Sequence, residues 1–386
     1  MGASNRLRLE YDVTAKLFFT FLFFIHAIQL NADALDDLIE KRMAQRSIPG
    51  LSIAIIQNGT IVKAKGYGFT DKSRKTPVTT TTLFQAGSIS KSVSAMSAMR
   101  LVQEGRLSLD ADVNLALRSW KVPDNQYTKG KKPTLRGILN HTAGFNMHGF
   151  TGYVEGDPIP TLLQILKGVS PAYPSESGIH IESVPGSTWR YSGGGYTVMQ
   201  QLIIDVTGQS FPQFMMDAVL NPLGMTNSTF EQPLPVSLRA MAATGHNPMG
   251  NPTRGLWRVH PEMAAAGLWT TPSDLAHFAI GIQQQLSGAA NPVLSQMMTE
   301  MMLTRQPKAC FFCRSDDALG VFIDGNSRTL RFSHDGSNLG FESRMVGFFH
   351  TGQGAIMMIN INDDFSKIWG DIFNAIAQEY HWPSSI

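Results

Sequence analysis

The sequence predicts a mixed α/β protein of the α+β type. A central antiparallel sheet is built from both ends of the chain and flanked by helices, with a mostly helical lobe between. Three observations predict this. Apolar runs at 51–59 (LSIAIIQNG) and 60–68 (TIVKAKGYG) meet at Asn58-Gly59, a strong hairpin signal. Four further runs of strand character follow near the C-terminus. The stretch between, about 85–305, carries helical patterning and no internal repeat or low-complexity linker.

Taken in order, the chain opens with a short greasy run at 17–28, LFFTFLFFIHAI. Arg6, Arg8 and Lys16 precede it, and Ala32 and Ala34 follow in an A-x-A pattern. This reads as a secretory signal over 1–34, cleaved after Ala34, and predicts a secreted or periplasmic protein. The run is short for a spanning helix, and no other stretch is long and apolar enough, so no membrane span is expected after cleavage. The plainer alternative is an uncleaved N-terminal anchor. Residues 35–386 then form a single two-lobed domain.

Leu35, Leu38, Ile39 and Met43 give residues 35–46 one apolar face of helical period. The hairpin follows. A helix is expected from about Ile89 to Gln103, just after Gly87. The C-terminal strands are read at 318–325, 328–336, 341–349 and 354–362, and DFSKIWGDIFNAIAQEY (364–380) as a closing helix. The methionines after Ser295 are expected to fill core space.

Composition excludes several classes. With 43% hydrophobic and 16% charged residues, the 386-residue chain is not disordered. A net charge of +2 with no basic block gives no argument for nucleic acid. No metal-ligand spacing or phosphate loop occurs, so no cofactor or metal is expected. Cys310 and Cys313 sit in a loop-like stretch and read as a local clip rather than a redox or zinc site. Asn58, Asn140 and Asn227 fit glycosylation sequons, which matter only in a glycosylating host.

The chemistry centres on FQAGSISKSVSAM (84–96). Ser88 opens the predicted helix and Lys91 follows three residues on, so both lie on one face of its first turn. A serine hydroxyl is a poor nucleophile until a base takes its proton. A lysine serves only if neutral, and a helix N-terminus and burial both lower an ammonium's pKa. The same helix start offers backbone N–H groups to an oxyanion. The plainer reading makes Ser88 a helix cap and Lys91 a solvated first-turn residue.

Two later stretches add context: PGSTWRYSGGGYTVMQQLIIDVTG (185–208), with Tyr191-Ser192-Gly193, and FSHDGSNLGFES (332–343), with His334-Asp335-Gly336. With these the sequence resembles the penicillin-recognising serine hydrolases: class C β-lactamases, D-alanyl-D-alanine carboxypeptidases, D-aminopeptidases and related esterases. Their order S-x-x-K, Y-x-N or a variant, then K-T-G or H-x-G, is kept here. LRGILNHTAGF (135–145), NPLGMTNSTF (221–230) and AAAGLWTTPSDLAHF (264–278) carry the same resemblance over nearly the whole mature chain.

The resemblance implies a β-lactamase/transpeptidase-like fold and assigns roles by position. Ser88 becomes the acylated nucleophile and Lys91 its proton acceptor. Tyr191 becomes a phenol of lowered pKa that shuttles protons. The backbone N–H groups of Ser88 and Ser337 form the oxyanion hole. His334, Gly336 and Gly193 line the substrate cleft. His141 is expected to close a helix, with Gly144 as its cap residue.

Two slots depart from the β-lactamase pattern. Gly193 stands where class C enzymes keep an Asn that holds the substrate's acylamide. His334 stands where others keep a lysine, and its charge is expected only at acid pH. The expected activity is therefore an exported serine hydrolase cleaving small esters or amides, D-peptides among them. The alternatives are a β-lactamase or D-alanyl-D-alanine carboxypeptidase, a penicillin- or peptidoglycan-binding sensor acylated without turnover, and a transesterase. The loops at 144–160 and 245–262 are expected to shape the pocket.

Overall fold

The computed structural model describes residues 34–386, apart from 72, 74, 174–176, 290–292, 307–315 and 363–364. The predicted leader, but for Ala34 at the start of the first helix, and the Cys310–Cys313 clip lie outside the described residues. In chain order the elements are α1 (34–46), β1 (Gly50–Gln57), β2 (Thr60–Asp71), β3 (Thr76–Pro77), β4 (Phe84–Gln85), α2 (Ile89–Gln103), α3 (Leu135–Leu139) and β5 (Tyr153–Val154). Next come α4 (Leu162–Lys167), α5 (Gly193–Thr207), α6 (Phe211–Met215), β6 (Arg258–Val259), α7 (Met263–Ala266), β7 (Trp269–Thr270), α8 (Pro272–Leu286) and α9 (Gln296–Leu303). The last are β8 (Asp316–Asp317), β9 (Phe322–Asp324), β10 (Arg331–Asn338), β11 (Phe341–Phe348), β12 (Gly354–Ile359) and α10 (Phe365–Glu379).

Backbone contacts divide the chain into two compact units. One comprises the N-terminal residues up to Arg46 with Ser366–Ile386. In it α1 buries Leu35, Ile39 and Met43 while Leu38 stays half-buried, and Arg42 Nε meets Asp371 Oδ2 at 2.9 Å. In α10, Ile368, Ile372 and Ile376 recur at i, i+4 and are buried, as an amphipathic helix requires.

The other unit, Ser47–Phe365, contains the sheet. Eight strands run in the order β3-β2-β1-β12-β11-β10-β9-β8, each pair antiparallel. The pairing of β1 with β12, Leu51 opposite Ile359, joins the two ends of the chain as the sequence predicts. Asn58 (φ 52°) and Gly59 (φ 69°) both take left-handed backbone, the geometry a two-residue hairpin turn needs. β1 is buried at seven of its eight positions, so both its faces are covered. α8 packs on β1 and β12, and α2 packs on β10 and β11.

The expected strand at 318–325 is shorter than predicted. Ala318–Val321 turns instead, with Gly320 at φ 96° and its N–H reaching the Leu139 carbonyl, and only Phe322–Asp324 pairs with β10. The methionine expectation holds in part: Met298 and Met302 are buried, whereas Met297 is 67% exposed. Among the described residues no helix is long and apolar enough to cross a membrane.

Candidate active site

The serines of 84–96 separate by what their hydroxyls bind. Ser90 Oγ accepts the Leu268 N–H (3.0 Å) and Ser92 Oγ donates to the Gly320 carbonyl (2.7 Å), so both tie buried backbone together. Ser88 precedes α2 in helical backbone (φ −68°, ψ −11°), and its side chain makes no cap bond. A capping serine sits in extended backbone and turns its oxygen onto the helix N–H groups. Ser88 does neither, and its hydroxyl accepts instead from Lys91 Nζ at 2.9 Å.

Lys91 is buried, 2% exposed, which removes the solvated reading of this residue. Its ammonium also donates to the Ala265 carbonyl of α7 at 2.8 Å, and lies 4.9 Å from the Tyr191 ring centre and 5.8 Å from that of Tyr196. Burial costs the charged form its hydration and brings Lys91 down to about 7. Near neutral pH a large share of Lys91 is therefore a free amine beside the Ser88 hydroxyl. Among the described residues no carboxylate pairs with it to restore the charge.

Tyr191 reaches the same hydroxyl, in hydrogen-bond contact with Ser88. Burial pushes its phenol up, and the charges of Asp335 and Asp317 push the same way. The expected lowering of this phenol is therefore corrected: in the free protein Tyr191 is a neutral O–H, since desolvation outweighs the Ser88 hydrogen bond. Its ring is held by His141 (centroids 4.2 Å apart), His148 (5.0 Å) and Trp189 (6.5 Å).

His141 corrects a second expectation. It follows the short helix α3 and itself takes left-handed backbone (φ 62°), the role assigned to Gly144. Gly144 is required for another reason, since a Cβ there would lie 2.3 Å from the Ser183 carbonyl oxygen. The His141 carbonyl accepts the Arg190 N–H (2.8 Å) and its Nδ1 accepts the Ser192 N–H (3.2 Å). Burial, then the charges of Lys91, His334 and His148, hold this imidazole neutral.

Gly193 begins α5, and its N–H donates to the His148 carbonyl (3.0 Å). A Cβ there would meet Phe150 Cε2 at 3.1 Å and the His148 oxygen at 3.2 Å. The loop at 144–160 thus packs tightly against this position. That loop and the one at 245–262 are joined through β5 and β6, with Tyr153 opposite Val259.

The third wall is β10. β9 pairs with it only at Arg331–Ser333, so among the described residues the edge at 334–338 has no neighbouring strand on that side. Gly336 is forced by a close approach: a Cβ would fall 1.9 Å from the Ala86 oxygen, which also accepts from Ser343 Oγ at 2.8 Å. One residue on, the Ser337 nitrogen lies 2.5 Å from where a Gly87 Cβ would stand, so its amide faces the residue before Ser88. Ser337 is exposed, in keeping with its amide rather than its hydroxyl being the expected functional group.

His334 is buried, with Nδ1 2.6 Å from the Asp335 carbonyl. A carbonyl only accepts, so Nδ1 carries the hydrogen and Nε2 keeps its lone pair. Burial and then the Lys91 charge lower His334 to about 4, further than its ordinary value implies, so its positive charge is absent through the neutral range.

Sequence reasoning missed Ala265, whose contribution is a backbone carbonyl and so leaves no side-chain signal. It also missed Tyr196, whose hydroxyl donates to the Leu139 carbonyl (3.0 Å) beside Lys91, and Asn338, which bridges Gln85 and the Ala266 carbonyl at 3.0 Å each. Among the described residues no three His, Cys, Asp or Glu side chains gather to hold a metal.

Such an arrangement, a partly neutral lysine on a serine hydroxyl beside an antiparallel strand edge, is that of an acyl-transferring serine hydrolase. The family model described as beta-lactamase matches residues 35–372, and the chain belongs to the beta-lactamase family. It is 27% identical over 342 residues to "Protein flp" of Staphylococcus aureus strain N315, covering 86% of this chain and 63% of that protein's length. The fold is similar to that of a class C beta-lactamase, with TM-score 0.71 and 22% identity over 91% of this chain and 95% of the other. It is likewise similar to the D-alanine carboxypeptidase AmpC from Burkholderia cenocepacia, with TM-score 0.68 and 20% identity over 91% and 98%.

Proposed function

We propose that the protein is an exported serine hydrolase that cleaves small esters or amides through an acyl-Ser88 intermediate. The observation that carries this is the 2.9 Å contact of a buried Lys91 amine with the Ser88 hydroxyl. Neutral Lys91 takes the Ser88 proton as Oγ bonds to the substrate carbonyl carbon. The negative charge formed on the carbonyl oxygen is met by the N–H groups of Ser88 and Ser337. As the intermediate collapses, the C–O or C–N bond to the leaving group breaks. That group takes a proton relayed from Lys91 through the neutral Tyr191 hydroxyl. Water then repeats the sequence on the acyl-enzyme and frees the acid.

Two features favour esters and simple amides over β-lactams. Gly193 has no side chain, so no side-chain amide is offered to an acylamide group there, and Phe150 and the His148 carbonyl crowd the position. His334 is neutral at working pH and offers no fixed charge to a substrate carboxylate. A second reading, β-lactamase or D-alanyl-D-alanine carboxypeptidase, is supported by the family membership and by the names of the similar folds. Export rests on the leader-like run at 17–28.

The test compares the purified protein with Ser88→Ala on a p-nitrophenyl ester and a chromogenic cephalosporin. Ester turnover well above cephalosporin turnover, both lost in Ser88→Ala, is the expected result. Efficient cephalosporin hydrolysis would move the reading to β-lactamase. Full activity in Ser88→Ala would remove Ser88 as nucleophile, and acylation without turnover would make the protein a sensor.

A further inference from the structure

The carbonyl that accepts Lys91 belongs to a helix with almost no support of its own. α7 spans four residues, Met263–Ala266, and Glu262 before it makes no side-chain cap bond. Its ends are tied by two glutamines from other parts of the chain. Gln200, buried on α5, donates Nε2–H to the Pro261 carbonyl and accepts the Ala264 N–H at Oε1, both at 3.0 Å. Gln232 accepts the His260 N–H at Oε1 (3.1 Å) and donates Nε2–H to the Gly267 carbonyl (2.7 Å). These bonds bracket 260–267, with Ala265 inside the bracket.

Asn338 Nδ2 also donates to the Ala266 carbonyl (3.0 Å), and α7 packs on α2 and α5. Ala264, Ala265 and Ala266 have no side-chain reach, and a Cβ on Gly267 would lie 2.7 Å from Met263 Cα, so the turn closes on bare backbone. Both glutamines also border a cavity of about 280 Å³ that is lined by Pro261 and Met263 on either side of Glu262. A primary amide suits the task, because one planar group supplies donor and acceptor in fixed relation.

We propose that Gln200 and Gln232 are positioning residues for the reaction at Ser88: by clamping both ends of 260–267 they hold the Ala265 carbonyl against Lys91 Nζ. The proposal rests on Lys91 being the base. The groups facing Lys91 are Ser88 on its own element, Tyr191 and Tyr196 from the α5 region, and Ala265 from α7. The imidazoles of His141, His334 and His260 act on it or are acted on by it through charge, and burial lowers all three, so they are neutral above the ordinary imidazole value of about 6.5. A change in Lys91 titration above that pH is therefore not theirs.

The experiment uses Gln200→Met, Gln232→Met and the double variant in the full-length protein. Lys91 is titrated by NMR on protein labelled with 13C-lysine, its signal assigned with Lys91→Arg. A carbonyl acceptor favours the ammonium, so its loss lowers Lys91 further, by about half a unit or more. The rate of fluorophosphonate labelling at Ser88, at pH 8, falls roughly ten- to hundredfold as the base loses its placement. If the double variant does not fold, each single variant gives the same shift in smaller measure. Unchanged or raised Lys91 titration, with only a lower Tm, would overturn the clamp. A wild-type protein that labels nowhere at Ser88 would sink the hydrolase reading, while the Lys91 titration would still decide the clamp.

Discussion

Gly336 lies so close to Ala86 that a Cβ on the glycine would stand 1.9 Å from the alanine's carbonyl oxygen. This contact presses the edge of β10 against the turn that starts α2. It also brings the Ser337 amide to the Gly87–Ser88 turn. Gly336→Ala must push the strand away, at a cost of ~1–3 kcal/mol by the usual scale of overpacking. The expected outcome is a lower Tm together with a loss of Ser88 labelling larger than the loss of stability explains. Thermal melts beside labelling rates check it, and unchanged labelling would separate this strand from the chemistry.

Lys91 should cost the fold stability in proportion to its charge. Its folded value of about 7 lies below the unfolded 10.5, so the unfolded chain holds more protons between the two and stability rises with pH across pH 7 to 10.5. Lys91→Met removes this dependence while ending activity. Its gain over wild type in urea unfolding should be larger at pH 6 than at pH 9 by about 2–3 kcal/mol. An equal gain at both values would mean that Lys91 titrates near its ordinary position.

Glu262 has the opposite sign. It is fully buried, neither carboxylate oxygen has a hydrogen-bond partner among the described residues, and burial raises it from 4.5 to about 8. The folded form holds its proton longer, so stability from this group is present below pH 4.5 and is lost as pH rises to about 8. Glu262→Gln keeps the shape without the ionisation. Its stability relative to wild type should improve between pH 5 and pH 8 by about 2–4 kcal/mol in urea unfolding. A flat difference would count against the buried neutral carboxyl.

The same substitutions that would restore a β-lactamase pattern should behave differently from one another. His334→Lys puts a permanent charge at the cleft and should lower KM for carboxylate-bearing substrates while neutral esters are unaffected. Gly193→Asn meets Phe150 Cε2 at 3.1 Å and the His148 oxygen at 3.2 Å from its Cβ alone. It should therefore lower Tm and leave cephalosporin turnover unimproved. Steady-state kinetics on paired substrates check both, and a gain of cephalosporin turnover from Gly193→Asn alone would show that the loop at 144–160 yields easily.

The rate of Ser88 acylation should rise with pH through about 7, since the free amine of Lys91 is the acceptor. His334, at about 4, should add no feature between pH 5.5 and 9. A pH–rate profile with its main step near 4 would shift the base assignment to an imidazole.

Much of this protein was legible in its residues. Asn58-Gly59 set the hairpin, because few other pairs accept left-handed backbone at both positions. The limits of α2, Ile89–Gln103, followed from Gly87 and the serine run, and the spacing of Ser88 and Lys91 placed both side chains on one helical turn. Local geometry was sufficient for these because the physics acts within a few residues. Tertiary structure alone decided the rest. It buried Lys91 and so freed its amine, and it raised Tyr191 where a lowered phenol was expected. It crowded the backbone at Gly193 and set an alanine carbonyl, held between two glutamines, against the lysine. Desolvation and close contact depend on segments from 35 to 174 residues away in sequence, and no local pattern encodes them.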